Sequence, residues 1–452
     1  MPARGAVVKP PGRRLLLIKP SAYNAAGEVV RGRKTFFPSR TLPYLAALTP
    51  PVFEVRILDE AVQDVSGEEA ADLVAFTGML PNMPRAMDLA RRFRQRGIPT
   101  IIGGIGVFSL REQLAASGAF DCIVEGEAES VWPALLDDYL AGRLQPAYAG
   151  GRCEDLSGLP VARFDLVDFS RYWRMPGQRL PWLTIETSRG CPHHCAFCAI
   201  RLYFGQRMRY RPVGEVVDEI RALGARYVIL TDDNLGADPE RARELFAALK
   251  PLGILWGGQI GVEIVRRPDV LRLAAESGCR FLGVGVESLH PDNLREMHKA
   301  QGNQYPIEDV ARTFRECGIA MTASMIFGMD HDTPESLRQT VDRLLCSGVE
   351  FMLPWVLCPG PGCEVHDQFQ REGRLLHENY SLYNGMDVVF QPKHMTPAQL
   401  AECSREALRR FYRPRHIAPR VLHAARKLDV LGLSVFFWNM SRRGLHPFSG
   451  VV

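Results

Sequence analysis

Cys191, Cys195 and Cys198 share one short stretch, Cys191-Pro-His-His-Cys195-Ala-Phe-Cys198. This C-x3-C-x2-C spacing lets a single loop present three thiolates to one object. A disulfide framework asks for an even count, and a structural zinc site asks for four ligands. A 4Fe–4S cluster takes one thiolate per iron, so three cysteines leave one iron open to a substrate or cofactor. Two other readings compete: a zinc ion with His193 or His194 as fourth ligand, and a buried, redox-inert group of thiols. The apolar run Trp182–Glu186 before the loop and the aromatic Phe197 before the last cysteine favour the cluster.

A second set of polar residues sits at the ends of later apolar runs. Thr231-Asp232-Asp233-Asn234 follows one, Glu287 and Ser288 follow another, and Leu357-Cys358-Pro-Gly-Pro-Gly-Cys363 follows a third. Each has an ordinary explanation. Asp233 or Asn234 suits a helix N-cap, a buried Glu287 would pair with an arginine, and Cys358, Cys363 and nearby His366 suit a plain loop. The chemical alternative for Cys358 and Cys363 is catalytic: a rim thiol that quenches a radical or donates a hydrogen atom. A second cluster would need further thiols, such as Cys153.

These residues need a scaffold that gathers strand ends. From 14 to 142, short β-branched runs alternate with helical segments, including an acidic helix expected around Ser66–Ala70. Such alternation builds a doubly wound parallel sheet, whose ligands sit at the carboxyl ends of the strands. Those ends carry Ser21, Thr77-Gly78-Met79, Gly103-Gly104 and Gly126-Glu127. Small residues there admit either a large flat ligand or another stretch of backbone. Residues 143–182 lack periodicity and read as a linker. Alternation resumes over 183–363 with six strand–helix units, short of the eight that close a (βα)8 barrel. A partial (βα)6 barrel follows, then a helical C-terminal cap over 364–452.

Bulk composition narrows the classes. A chain of 452 residues exceeds one ordinary core. Fifty-five Lys and Arg against 51 Asp and Glu give a net charge of +4, too balanced to argue for nucleic acid. Eleven scattered cysteines read as reduced, cytoplasmic thiols. Residues 1–13 read as a disordered arm. No run of 18 apolar residues suggests a membrane span, and the oily tail Val430–Trp438 is the candidate for peripheral membrane contact.

The cysteine stretch after the first strand of a six-unit barrel resembles the radical S-adenosylmethionine (SAM) superfamily. That resemblance implies SAM bound to the open iron through its amino and carboxylate groups, and cleavage to a 5′-deoxyadenosyl radical. Residue by residue, it implies Phe197 beside the cofactor, Asp232 and Asp233 on its amino group, Glu287 on its ribose or methionine part, and Ile326 and Gly328 bracketing adenine. The N-terminal half is similar to the cobalamin-binding domain of the class B branch, on Gly103-Gly104, Glu125–Ser130 and Trp132–Gly142. This implies cobalamin over Thr77, Gly78, Met79, Gly103, Gly104, Gly126 and Glu127. The D-x-H-x-x-G motif is absent, so cobalamin would bind without a histidine ligand, or the domain binds no corrin.

The branch implies a cobalamin-dependent methyltransferase acting on an unactivated carbon of a small molecule. It would draw electrons from a donor such as flavodoxin or ferredoxin. Ring formation, rearrangement, oxidation or carbon–carbon coupling is the alternative, with or without cobalamin. A non-enzymatic iron–sulfur electron carrier or sensor is a further one, disfavoured by the open iron. A methylthiotransferase acting on tRNA would show an N-terminal cysteine set, which is missing.

Overall fold

The structure is a computed structural model that describes residues 12–31, 35, 37–174, 178–299 and 305–427. The expected arm up to residue 11 and the tail Val430–Trp438 lie outside the described residues. The first sheet contains β1 (Arg13–Lys19), β2 (Phe53–Asp59), β3 (Leu73–Thr77), β4 (Thr100–Gly103), β5 (Cys122–Glu125) and β6 (Ala147–Ala149). All six are parallel, in the order β2-β1-β3-β4-β5-β6.

Successive side chains of a strand face opposite ways, and β1 feeds two cores accordingly. Leu16 and Ile18 pack with Leu89 and Phe93 of the helix Met83–Gln95, whereas Leu15 and Leu17 pack with Leu135 and Leu136 of the helix Trp132–Leu140. Burial on both faces explains why the strand reads as an unbroken apolar run. From β1 the chain steps to β2 on one side and to β3 on the other. The carboxyl ends of β1 and β3 therefore flank the crevice where open α/β sheets bind ligands.

Two segments differ from the sequence reading. Ser66–Ala70 forms no helix, because the Glu69 carboxylate accepts the Ser66 and Gly67 backbone N–H groups at 2.8 and 2.9 Å and closes a turn. The start of the linker contributes the exposed edge strand β6.

The second unit contains β7 (Leu183–Ile185), the short antiparallel pair β8 (Ser188–Arg189) and β9 (Arg209–Tyr210), then β10 (Tyr227–Leu230), β11 (Leu255–Gly261), β12 (Cys279–Glu287), β13 (Ala320–Phe327) and β14 (Phe351–Val356). Six of these form an open parallel sheet, β7-β10-β11-β12-β13-β14, as a partial barrel requires. Helices between the strands cover one side; Pro334–Ser347, for example, starts at a Thr333–Ser336 capping box. Beyond β14 the helices Glu364–Arg371, Pro397–Phe411 and Pro414–Lys427 form a cap. Arg374 anchors it, pairing with Asp330 at 2.8 Å and lying 3.8 Å above the Phe369 ring. No helix among the described residues is long and apolar enough to cross a membrane.

The carboxyl ends of the two sheets meet. A Cβ on Gly360 would lie 3.5 Å from Leu80, and one on Gly362 would lie 3.3 Å from Phe108. The loop after β14 thus abuts the turn Leu80–Asn82 after β3 and the helix Ile105–Ala116 after β4.

Candidate cluster and cofactor site

The three cysteines lie in the loop that joins β8 to β9. Gly190 enters it at φ 98°, and a Cβ there would stand 2.5 Å from the Arg207 carbonyl, so the two limbs approach as only glycine allows. Cys191 N–H donates to the Gly205 carbonyl at 3.3 Å, and Cys198 N–H to the Cys195 carbonyl at 3.0 Å. All three side chains are free thiols. Burial pushes each thiol up, Cys195 to about 11; Cys198 adds to the rise of Cys191 and Cys195, and Asp233 to that of Cys198. A metal cluster that ligates them must displace those protons. Phe197 packs against the barrel core. Among the described residues no three His, Cys, Asp or Glu side chains group tightly enough for a single metal ion; a cubane spreads its ligands, one per iron.

The histidines between the cysteines have other partners. His193, half-buried, has its Nε2 3.1 Å from Glu263 Oε1, and the exposed His194 ring lies 5.5 Å from that of His298. Glu263, just past β11, also accepts from Asn234 at 3.1 Å, while its buried Oε2 has no partner among the described residues. Burial opposes its ionisation, but the His193, backbone and Asn234 bonds win and hold the carboxyl at about 2.

The two aspartates after β10 separate. Asp232 is buried and accepts from Thr187 N and Oγ1 at 3.2 and 2.7 Å, and from Ser188 Oγ. It thereby fixes the start of the cluster loop. Asp233 lies within electrostatic reach of Cys191 and Cys198, and burial, then the Asp232 and Glu186 charges, push it up to about 7. A cation placed beside it would reverse that shift.

Glu287 ends β12 at φ 66°, at a register slip between β12 and β13. A left-handed, non-glycine residue at a bulge stores strain. Its buried carboxylate sits 3.4 Å from Lys299 Nζ, a lysine in place of the arginine weighed from sequence. Burial lowers Lys299, yet Glu287, Cys195 and Glu263 together hold it above its ordinary value. Ile326 is buried on β13 opposite Trp355. Gly328 N–H donates to Asp332 at 2.9 Å, and a Cβ there would stand 2.5 Å from Leu400 of the cap. The space it leaves is filled by protein.

On the facing sheet, Gly78, Gly104 and Gly106 interlock. A Cβ on Gly104 would meet Thr77 Oγ1 at 2.5 Å, and one on Gly106 would meet the Met79 backbone at 2.9 Å. Gly103 has ordinary clearance from Val124. Above this level floor Met79 and Phe108 remain 43% and 47% exposed, unusual for large apolar side chains inside a crevice. Gly126 and Glu127, expected under cobalamin, have protein partners in this structure. A Cβ on Gly126 would lie 2.4 Å from the Gly151 carbonyl, and Gly126's own carbonyl accepts from Tyr203 Oη at 2.9 Å. Glu127 is buried between Arg189 and Arg209. On the rim, burial pushes Cys358 and Cys363 up to about 12, so both are neutral thiols.

The radical SAM superfamily model matches residues 185–344, and the B12 binding domain model matches residues 29–136. The chain belongs to the radical SAM superfamily, in its cobalamin-binding branch. The bacteriochlorophyllide d C-12(1)-methyltransferase of Chlorobaculum tepidum is 28% identical over 411 residues, covering 89% of this chain and 88% of that protein. The hopanoid C-2 methylase of Rhodopseudomonas palustris is 26% identical over 405 residues, covering 85% and 73%. Among solved structures, the radical SAM methyltransferase TsrM of Kitasatospora setae, with cobalamin and a 4Fe–4S cluster bound, superposes with a TM-score of 0.58. It is 19% identical, over 80% of this chain and 75% of that one.

As a radical SAM protein with a B12-binding domain, this chain takes a 4Fe–4S cluster, SAM and cobalamin as cofactors. Its residues fit them: a three-thiol loop, the unpartnered Glu263 oxygen beside it, and an apolar floor at the crevice of the first sheet. Three residues of this radical SAM site escape sequence reasoning. Glu263 and Lys299 carry no spacing signal. Arg189 stands in the cysteine stretch itself, where attention falls on the ligands.

Proposed function

We propose that this radical SAM enzyme is a cobalamin-dependent C-methyltransferase, acting on an unactivated carbon of an apolar, ring-rich small molecule of the tetrapyrrole or polycyclic-lipid kind. The observation that carries the reading is the meeting of the two sheets' carboxyl ends, the turn after β3 and the helix after β4 against the β14 loop. Further support comes from relatives named for methylating a bacteriochlorophyllide and a hopanoid.

Cys191, Cys195 and Cys198 would hold the cluster. Asp233 would accept the cofactor ammonium, Lys299 would face its carboxylate, and Glu287 would take the ribose hydroxyls, with Ile326 near adenine. Thr77, Gly78, Met79, Gly103 and Gly104 would form the floor under cobalamin. When bound, the cluster and SAM supply a 5′-deoxyadenosyl radical, and cobalamin carries the methyl group. The net change balances as R–H, two SAM and two electrons giving R–CH3, 5′-deoxyadenosine, methionine and S-adenosylhomocysteine. A one-electron donor of the flavodoxin or ferredoxin kind would supply the electrons. Met79 and Phe108 would be covered by bound cobalamin and substrate, which would exclude water from the crevice. Free thiols throughout suit a reducing, cytoplasmic setting.

Anaerobic reaction with methyl-deuterated SAM and a cell extract, read by mass spectrometry, tests this. Label in a new small molecule together with 5′-deoxyadenosine supports it. Deoxyadenosine without transferred label redirects the reading to cyclisation or oxidation, and neither product removes the radical reading.

A further inference from the structure

We propose that Glu127 of the B12-binding domain clamps the cluster loop in place through Arg189 and Arg209, acting as a positioning residue. The inference rests on the reading that this loop holds the cluster. Arg189 and Arg209 are direct register partners in the β8–β9 pair. Like charges directly opposite on two strands repel, and here both are buried. The pair therefore needs a carboxylate between its members.

Glu127 is that carboxylate. It lies 2.6 Å from Arg209 Nη2 and 3.0 Å from Arg209 Nη1, and its Oε2 also accepts from Arg189 Nη1. Arg189 reaches two more carboxylates, Glu129 at 2.6 Å and Glu186 at 3.0 Å. Arg209 has no second carboxylate among the described residues; its other acceptors are the Cys153 and Phe204 carbonyls. Glu127 and Glu129 follow directly on β5, which ends at Glu125, and Arg189 stands two residues before Cys191. The hairpin whose tip is the cluster loop is thus stable only when docked on the first sheet. The carboxyl end of β5 and the first cluster cysteine move as one body.

Glu127→Gln keeps the shape and removes the charge. In the full-length chain, reconstituted with iron and sulfide, this variant should lose most of its iron and the cluster's SAM-dependent electron paramagnetic resonance shift, with all three cysteines present. Hydrogen exchange should rise over residues 187–210 and stay unchanged in β11 to β13. Adding Arg209→Gln removes the like-charge pair and should restore both iron content and protection. A Glu127→Gln variant with wild-type iron and exchange would overturn the proposal, and so would a double variant that stays as poor as the single one. If the wild-type chain itself takes up no cluster, the assignment of the cysteines fails instead.

Discussion

Glu287 offers a test in which a second substitution reverses the sign of the first. Its left-handed backbone is unfavourable by about 1–2 kcal/mol for an L residue. Glu287→Gly would relieve that, less about 0.5–1 kcal/mol for the freedom glycine loses on folding. The same change strands the Lys299 ammonium, whose side chain is 10% exposed. Removing one partner of a buried ion pair destabilises by about 3–5 kcal/mol. The single variant should therefore lose about 2–4 kcal/mol, lowering the barrel's thermal transition by about 4–16 °C. Glu287→Gly with Lys299→Met removes both charges, and replacing a buried pair by apolar groups is neutral or favourable. With the backbone strain also gone, the double variant should recover most of the single variant's loss, short of wild type only by the cavity that glycine leaves. Both variants should lose the SAM-dependent change in the cluster spectrum. Differential scanning calorimetry of the cluster-free proteins reads the first effect and electron paramagnetic resonance the second. A single variant as stable as wild type would refute the reasoning, since the strain and the pair could not then both be as described.

Replacing Cys191, Cys195 or Cys198 by alanine should abolish cluster iron, while alanine at Cys358 or Cys363 should leave it intact, as iron and sulfide assays would report. Asp232→Ala should impair cluster assembly with every cysteine present, because the Thr187 and Ser188 donors lose their buried acceptor at about 1–3 kcal/mol for each unsatisfied group. Burial pushes the Glu350 carboxyl up to about 7, against an ordinary value of 4.5. Between those values the folded chain holds a proton that the unfolded chain has released, so stability present in acid is lost as pH rises through about 7. Glu350→Gln should flatten that part of the melting-temperature profile. Protein loaded with hydroxocobalamin and desalted should keep corrin absorption bands, and their absence would leave methyl transfer without its carrier.

Much of the fold was legible because strand and helix periods are local. The runs at β1, β3 and β12 announce themselves, and so does the three-thiol loop, whose spacing is local too. What resisted reading depends on partners distant in sequence. Glu69 closes a turn onto Ser66 where a propensity argument expects a helix. Gly126 is small because the Gly151 backbone crosses it, and Gly328 because Leu400 does; a glycine reveals that something approaches, never what. Asp232 and Asp233 are indistinguishable by type, and only the placement of Thr187 and Ser188 commits the first of them to the loop.

The clamp residues also have a history within each synthesised chain. Glu127 precedes Arg189 by 62 positions, about 3–12 s of translation at ordinary ribosomal speeds. The first sheet is complete once Ala149 has emerged, before either arginine exists. During that interval Glu127 and Glu129 are hydrated surface carboxylates, which favours an early, soluble N-terminal unit. Their burial is deferred to the moment the hairpin arrives, so a contact that joins the two units is also one that shapes the cluster loop.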